Sequence, residues 1–423
     1  MDEVSWGLFV RPTCWRVNDD AEGYARWLGA LHGAPRTPRY LSPDDVRAQL
    51  AGPLAAIDFS HFLDRMSYQD SLFADFVGAL VGTANEIDPE TPCGIVGAQA
   101  PSLWGGYDYA KLMRKVQFLE AYDTGSAPEI ARSFAPEATL VSTHFHSEEK
   151  GVDSWFAWSR FAHGQRGLIG WVEGWFEGEE PRPWLKEFAP VLRELSALGP
   201  RTAGARWEND GIAIYYSHPS IQLSWLLDSE AHGATWPNRN RDAELGTAGC
   251  VRRAWEFLLN DAGLQYDFLA YDRVGREGVP ASIRFLILPA TFALSEVEAE
   301  RIREFAARGG VVIADFMCGL FDQHGRGRTK GALDDLFGVE HGGDLRAKDF
   351  FGERLWVESD QEAGYEAKSY ARLLGTVKSG MEEGFARPER GLTGTARYAS
   401  INTHLGIGER AVAALQLGAV RGC

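Results

Sequence analysis

The sequence predicts an α/β protein assembled from parallel βα units, and three observations carry that expectation. From Ile283 to Val339 an apolar strand, an amphipathic helix, a second apolar strand and an Arg/Gly-rich loop follow one another without interruption. Residues 1 to about 198 alternate apolar strand candidates with amphipathic helices. With 423 residues, the chain is long enough for two or three domains of about 100 to 200 residues each.

The elements can be justified in chain order. From Phe59 to Ala84, His61-Phe62-Leu63, Phe73, Phe76-Val77 and Leu80-Val81 recur at three- and four-residue intervals and predict one long helix with an apolar face. Asp88-Pro89-Glu90-Thr91-Pro92 then breaks into a strand at Cys93–Gly97. Further strands are expected at Val116–Glu120, Ala138–Thr143 and Leu168–Val172, with helices at Tyr107–Lys115, Ala127–Ser133 and Ser154–Ala162. Four βα units are therefore visible, which by themselves fit either an open sheet or part of a closed barrel of eight strands. Leu198 to Thr202, with Gly199-Pro200, is the nearest thing to a linker. Beyond it come a helix from Val251 to Leu259, a strand at Tyr266–Ala270 and a buried-strand run at Phe285–Pro289. Ser295 caps a helix carrying Val297, Ile302 and Phe305; Gly309-Gly310 ends it, and Val311–Phe316 is the next strand. After Val339 the sequence offers Gly342-Gly343, a strand-like Leu355-Trp356-Val357 and a strand or helix near Ala411–Leu417.

Composition narrows the function classes. The net charge of -16 argues against nucleic acid or anionic membranes as partners, because a polyanion would be repelled over most of the surface. No apolar run approaches the roughly 20 residues a membrane helix needs. Five widely spaced cysteines without a CxxC pair predict no disulfide framework and no zinc site. Met1-Asp2-Glu3 is acidic where a signal peptide would be basic, so a cytoplasmic protein is expected. The 14 tryptophans suit a sugar ligand, whose aliphatic C–H face stacks on flat aromatic surfaces.

Gly319–Arg326 and Leu333–Val339, together with Gly211-Ile212-Ala213-Ile214-Tyr215-Tyr216-Ser217-His218-Pro219-Ser220, resemble the trimerisation domain of family 42 β-galactosidases. The resemblance implies a flavodoxin-like, class I glutamine amidotransferase-like domain over residues 206–340. At its strand-end turn Pro289-Ala290-Thr291 offers no cysteine nucleophile, which disfavours amidotransferase chemistry. It also implies that residues 1–198 are the C-terminal half of a (β/α)8 TIM-type barrel. In the family the acid/base glutamate ends the fourth strand in an Asn-Glu or Asp-Glu pair; here Asp2-Glu3 stands at the start, and Gly23–Leu28 follows where the family has an Arg-x-Trp-Leu helix. The expectation is thus a truncated glycosidase, with strands one to three absent and residues 341–423 an incomplete further segment.

Retaining glycoside hydrolysis uses two carboxyl groups about 5 to 5.5 Å apart, and barrel active sites lie at the C-terminal ends of strands. By resemblance Glu3 is the acid/base. The family's nucleophile ends the seventh strand, here Thr139–Thr143, where Thr143 or His144 stands instead. Glu120, Glu148, Glu149 and Glu173 are the carboxylates near strand ends, and Glu120 is favoured because Tyr122 and Asp123 beside it can bind sugar hydroxyls or tune it. Trp104, Tyr107, Tyr122, Asp123, His144, His146, Trp171 and Glu173 are the expected substrate-binding residues. His144 and His146 point the same way along a strand but find no obvious further ligands in sequence, so no metal and no cofactor are expected. The expected partner is a carbohydrate substrate, and the resemblance implies a homo-oligomer, a trimer. The alternative is a carbohydrate-binding or assembly protein that kept the aromatic subsites and lost the acid pair.

Overall fold

Parallel pairing runs through both halves of the chain. The computed structural model describes residues 20–39, 41–103, 105–232, 247–315, 317–341, 345–347 and 398–400. In the first region β1 (Gly94–Ala98), β2 (Phe118–Ala121), β3 (Thr139–His144) and β4 (Gly167–Gly170) form a sheet in the order β1-β2-β3-β4, every pair parallel. Each strand is joined to its sequence neighbour through a helix: α4 (Tyr109–Leu112), α5 (Ala127–Phe134) or α6 (Val152–Ala162). An order that advances one strand at a time without reversing is that of a barrel segment.

The second sheet has a different order. β7 (Ile212–Tyr216), β8 (Tyr266–Ala270), β9 (Phe285–Leu288), β10 (Val311–Ala314) and β11 (Tyr398–Ser400) pair in parallel as β11-β10-β9-β7-β8, so the winding reverses beside β7. Period-two alternation supplies two faces: Ile212, Ile214 and Tyr216 join one apolar cluster, and Ala213 and Tyr215 join another with Leu286, Val312, Ile302 and Phe305.

The two regions share a core. Phe59, Phe62, Phe73, Ile95, Leu119 and Ile130 belong to the same buried cluster as Ile214, Trp225, Trp255, Phe268, Phe292 and Phe321. Much of the seam runs along α3 (Ser60–Ile87), where Phe62 stacks on Trp225 at 6.4 Å between ring centroids and 6° between planes. Besides Phe62, Leu63, Phe73 and Val77, α3 buries Asp64, Arg65 and Asp70, while Phe76 and Leu80, expected on the apolar face, are exposed. α5 packs against β2 and β3 and also against β8.

Leu198–Thr202 is helix, not linker. It is the last part of α8 (Pro183–Thr202), which contains Pro190 and Pro200. Leu185 and Phe188 are buried with Ala157 of α6 while Val191, Leu192 and Leu195 pack around them, and this tertiary burial outweighs the local signal of Gly199-Pro200. Leu355–Val357, Ala411–Leu417 and Gly342-Gly343 lie outside the described residues.

Ser295 caps α12 (Glu296–Ala307) as expected, and reciprocally: its Oγ accepts from Glu298 N at 3.1 Å and its N–H donates to Glu298 Oε2 at 2.6 Å. Ile302 and Phe305 are buried, but Val297 is exposed. Burial pushes the Glu298 carboxyl up to about 7 against the ordinary 4.5, although Ser295 pulls the other way. The folded chain then binds this proton more tightly than the unfolded chain, so its contribution to stability is full below pH 4.5 and falls as pH rises to about 7, by about 3 kcal/mol in all. Glu298→Gln removes that loss. The melting temperature of the variant relative to the parent is expected to climb between pH 5 and pH 8; a constant gap would contradict the assignment.

Candidate active site

The carboxyl ends of β1 to β4 gather the chemistry of the first region. Gly97, with φ of +70°, sits where the β1–β2 register shifts between Ile95 and Ala98. The Gly97 N–H donates to Oε2 of Glu120, and the Thr143 hydroxyl donates to Oε1. Glu120 is 2% exposed, so one buried carboxylate ties three neighbouring strands together. Tyr122 follows on the rim, half-buried, with its ring 6.1 Å from exposed Phe145. Asp123 is ion-paired to Arg160 at 3.0 Å and to Arg253 at 3.6 Å.

The end of β3 carries a second constellation. His144 Nε2 lies 2.9 Å from Asp153 Oδ1 and His146 Nδ1 lies 2.7 Å from Asp153 Oδ2, so one carboxylate is clasped by two imidazoles. Ser147 N–H also donates to Oδ1. Burial opposes the charge on Asp153, but the Ser147 N–H and the two imidazoles outweigh it and hold the carboxyl below its usual range. Burial holds the His144 imidazole below its ordinary value despite Asp153 beside it. Trp184 stacks on His146 at 4.2 Å and 6°, and Phe188 stacks on His144 at 4.9 Å. Trp175 closes the wall edge-on to His144 at 5.6 Å. This needs a glycine at 170, because a Cβ there would overlap the Trp175 indole.

The expected site residues divide accordingly. Glu120, Tyr122, His144 and His146 come to adjoining strand ends, and Trp171, 48% exposed, follows β4. Glu173 is an exposed residue in the first turn of the short helix Val172–Trp175. Tyr107 is instead a core residue, fully buried with its ring 5.5 Å from Phe73. Asp123 is taken up by its arginines. Glu3 and Trp104 lie outside the described residues. Trp175 stands in the sequence as the second of two tryptophans flanking Glu173, a pattern that suits a sugar subsite, whereas Asp153, Trp184 and Phe188 are not anticipated; the sequence signal for Asp153 is the alternation of His144 and His146 followed by an acidic first turn in α6.

At the β9 turn of the second region, Ala290 adopts φ of +41° and its N–H donates to both carboxylate oxygens of Asp315, at 2.8 and 2.9 Å. The side chain at this strand-end turn is a methyl group and offers no nucleophile.

No protein-family model matches the sequence. Among solved structures, a β-galactosidase from the Antarctic haloarchaeon Halorubrum lacusprofundi is similar at a TM-score of 0.54 and 15% identity, over 79% of this chain and 56% of that one. Gan42B, a GH42 β-galactosidase from G. stearothermophilus, is similar at 0.53 and 16% identity, over 76% and 53%. An exo-carrageenase of GH42 from Bacteroides ovatus is similar at 0.50 and 15% identity, over 85% and 51%. The chain spans about half the length of the structures it matches. No helix among the described residues is long and apolar enough to cross a membrane. By fold, this chain is similar to the family 42 β-galactosidases over about three quarters of its length.

Proposed function

We propose that the chain is a retaining glycoside hydrolase of the β-galactosidase type, acting on a carbohydrate at the carboxyl rim of β1 to β4. The observation that carries this reading is the Glu120 carboxylate, placed at the end of a barrel-order strand and facing two hydrogen-bond donors. Donors aimed at a carboxylate suit an anion that attacks the anomeric carbon, rather than a group that must hold a proton. Glu120 is assigned the nucleophile's role and Glu3 the acid/base role. Tyr122, His146 and Trp171 are assigned to sugar binding, His146 braced by Asp153 and Trp184. In the same reading residues 1–198 are the second half of a barrel and residues 206–340 a flavodoxin-like assembly domain of a trimer. The strand order of the second sheet supports the flavodoxin-like part. The reading also places the protein in the cytoplasm.

A second reading has its own support. Thr143 and His144 stand at the end of β3, where the family resemblance calls for the nucleophile. Both oxygens of Glu120 accept from neighbouring strands, as a purely structural carboxylate's would. On this reading the protein binds carbohydrate without cleaving it. Incubating the chain with a panel of aryl glycosides separates the two: release of the phenol from β-galactosides supports hydrolysis, whereas saturable galactoside binding without release supports the binding protein.

A further inference from the structure

Among the described residues two clusters bring imidazole and carboxylate ligand atoms within 4.8 Å of one another: Asp70 with Asp108 and His218, and His32 with Asp64 and His324. The first already holds a cation. Lys111 Nζ lies 3.6 Å from Asp108 Oδ2, and Gln222 and Tyr271 donate to the two carboxylates at 2.9 and 2.7 Å. The second has no such cation bonded to its carboxylate among the described contacts. His32 Nε2 lies 2.7 Å from Asp64 Oδ2, and His324 Nδ1 lies 2.5 Å from Asp64 Oδ1.

We propose that His32, Asp64 and His324 form a binding site for a divalent transition-metal ion of the zinc type, stapling three segments far apart in the chain. His32 is the last residue of α1 (Ala21–His32), Asp64 lies near the start of α3, and His324 lies in the turn after β10. Two imidazoles and one carboxylate are the donor set of a three-ligand zinc site and are too nitrogen-rich for calcium or magnesium. Bonds of about 2.0 to 2.1 Å to a tetrahedral ion separate ligand atoms by about 3.3 Å; the three ligand atoms here, one per residue, already lie within 4.8 Å of one another, so small shifts of the two rings about Asp64 admit the ion. The two rings, with centroids 4.6 Å apart, lie on separate backbone segments and can make these shifts.

The surroundings are arranged to present the ligands. Asp322 Oδ1 accepts from the backbone N–H of both His324 and Arg326, fixing the turn. Gly325, with φ of +79°, lets that turn sit where a Cβ would press on Leu63 and Phe59. The Gln323 side-chain amide nitrogen lies 3.0 Å from His324 Nε2; turned over about its terminal bond, the amide presents its oxygen there instead, to accept the N–H of a ring that binds metal through Nδ1. A cavity of about 430 Å³, lined by Gln323, His324, Arg326 and Arg328 among others, gives solvent a path to this side of the cluster. Arg36, an exposed side chain 3.5 Å from His32 Nε2, would turn outward on loading.

The test uses the full chain, stripped with a chelator and titrated with Zn2+ alone in a calorimeter. One ion per chain with a raised melting temperature is expected, together with the visible spectrum of four-coordinate Co2+ when cobalt replaces zinc. His32→Gln and His324→Gln, checked for native circular dichroism, should each weaken binding by at least about a hundredfold, and Gln323→Leu by about tenfold or more. Absence of stoichiometric binding, or binding unchanged in both histidine variants, would overturn the proposal. Glycoside turnover does not enter the readout.

Discussion

Replacing Arg132 by alanine is expected to destabilise the protein by about 3 to 5 kcal/mol, the scale of breaking a buried ion pair from one side. Its side chain is buried on α5 and joins the two regions. Nε donates to Glu129 Oε2 at 3.0 Å, one terminal nitrogen to Asp267 Oδ1 at 2.7 Å and the other to the Tyr266 carbonyl at 2.8 Å, while the guanidinium lies 3.8 Å from the Trp207 ring centroid. Alanine leaves Glu129 buried with Arg160 and His163 alone. The effect should also be visible in acid. Burial would raise the Glu129 carboxyl, but the His163 hydrogen bond and the charges of Arg132, His163 and Arg160 outweigh it and hold it at about 2, against an ordinary 4.5. A carboxyl held down contributes stability above pH 4.5 that is lost as pH falls towards 2, here about 3 kcal/mol. Arg132→Ala should flatten that part of the acid profile as well as lower the denaturant midpoint. A loss below about 1 kcal/mol, or an unchanged acid slope, would show that α5 and β8 are held together by something else.

The second large effect concerns turnover. Glu120→Gln keeps the shape of the side chain, and the Thr143 hydroxyl can rotate to accept from the new amide, so the stability loss should stay near 1 to 2 kcal/mol. Hydrolysis of an aryl β-galactoside, by contrast, should fall by at least about a thousandfold, the scale of removing a nucleophile. Thermal melts and initial rates on the same preparation separate the two. A variant that loses several kcal/mol yet keeps its rate would make Glu120 a strand stitch and nothing more.

The strands were legible because each is a short apolar run set off by turn residues, and all four of the first region and the three expected between Tyr266 and Phe316 fall within a residue or two of their expected places. What alternation and spacing could not convey is what lies across a strand or a seam. Glu120 was noticed at a strand end, but Gly97 and Thr143, its partners, are fixed by register between strands and by a positive φ. Tyr107 sits in a loop of mixed polar and aromatic residues that resembles a binding rim, yet it turns inward onto Phe73. Phe76 and Leu80 kept helical spacing and stayed exposed, because α3 spends its buried surface on the shared seam, where Asp64 and Asp70 meet histidines from the second region. His32 and His324 are 292 positions apart in sequence, beyond the reach of any local ligand pattern.

The measurement that bears most directly on the functional account is covalent trapping. A fluorinated aryl galactoside with a leaving group that departs without protonation needs the nucleophile alone, so it tests Glu120 without involving Glu3. Mass spectrometry of the intact chain followed by peptide mapping should show one fluorogalactosyl group esterified to Glu120. A label on another carboxylate, or hydrolysis of the parent aryl galactoside with no trapped adduct, would contradict the account.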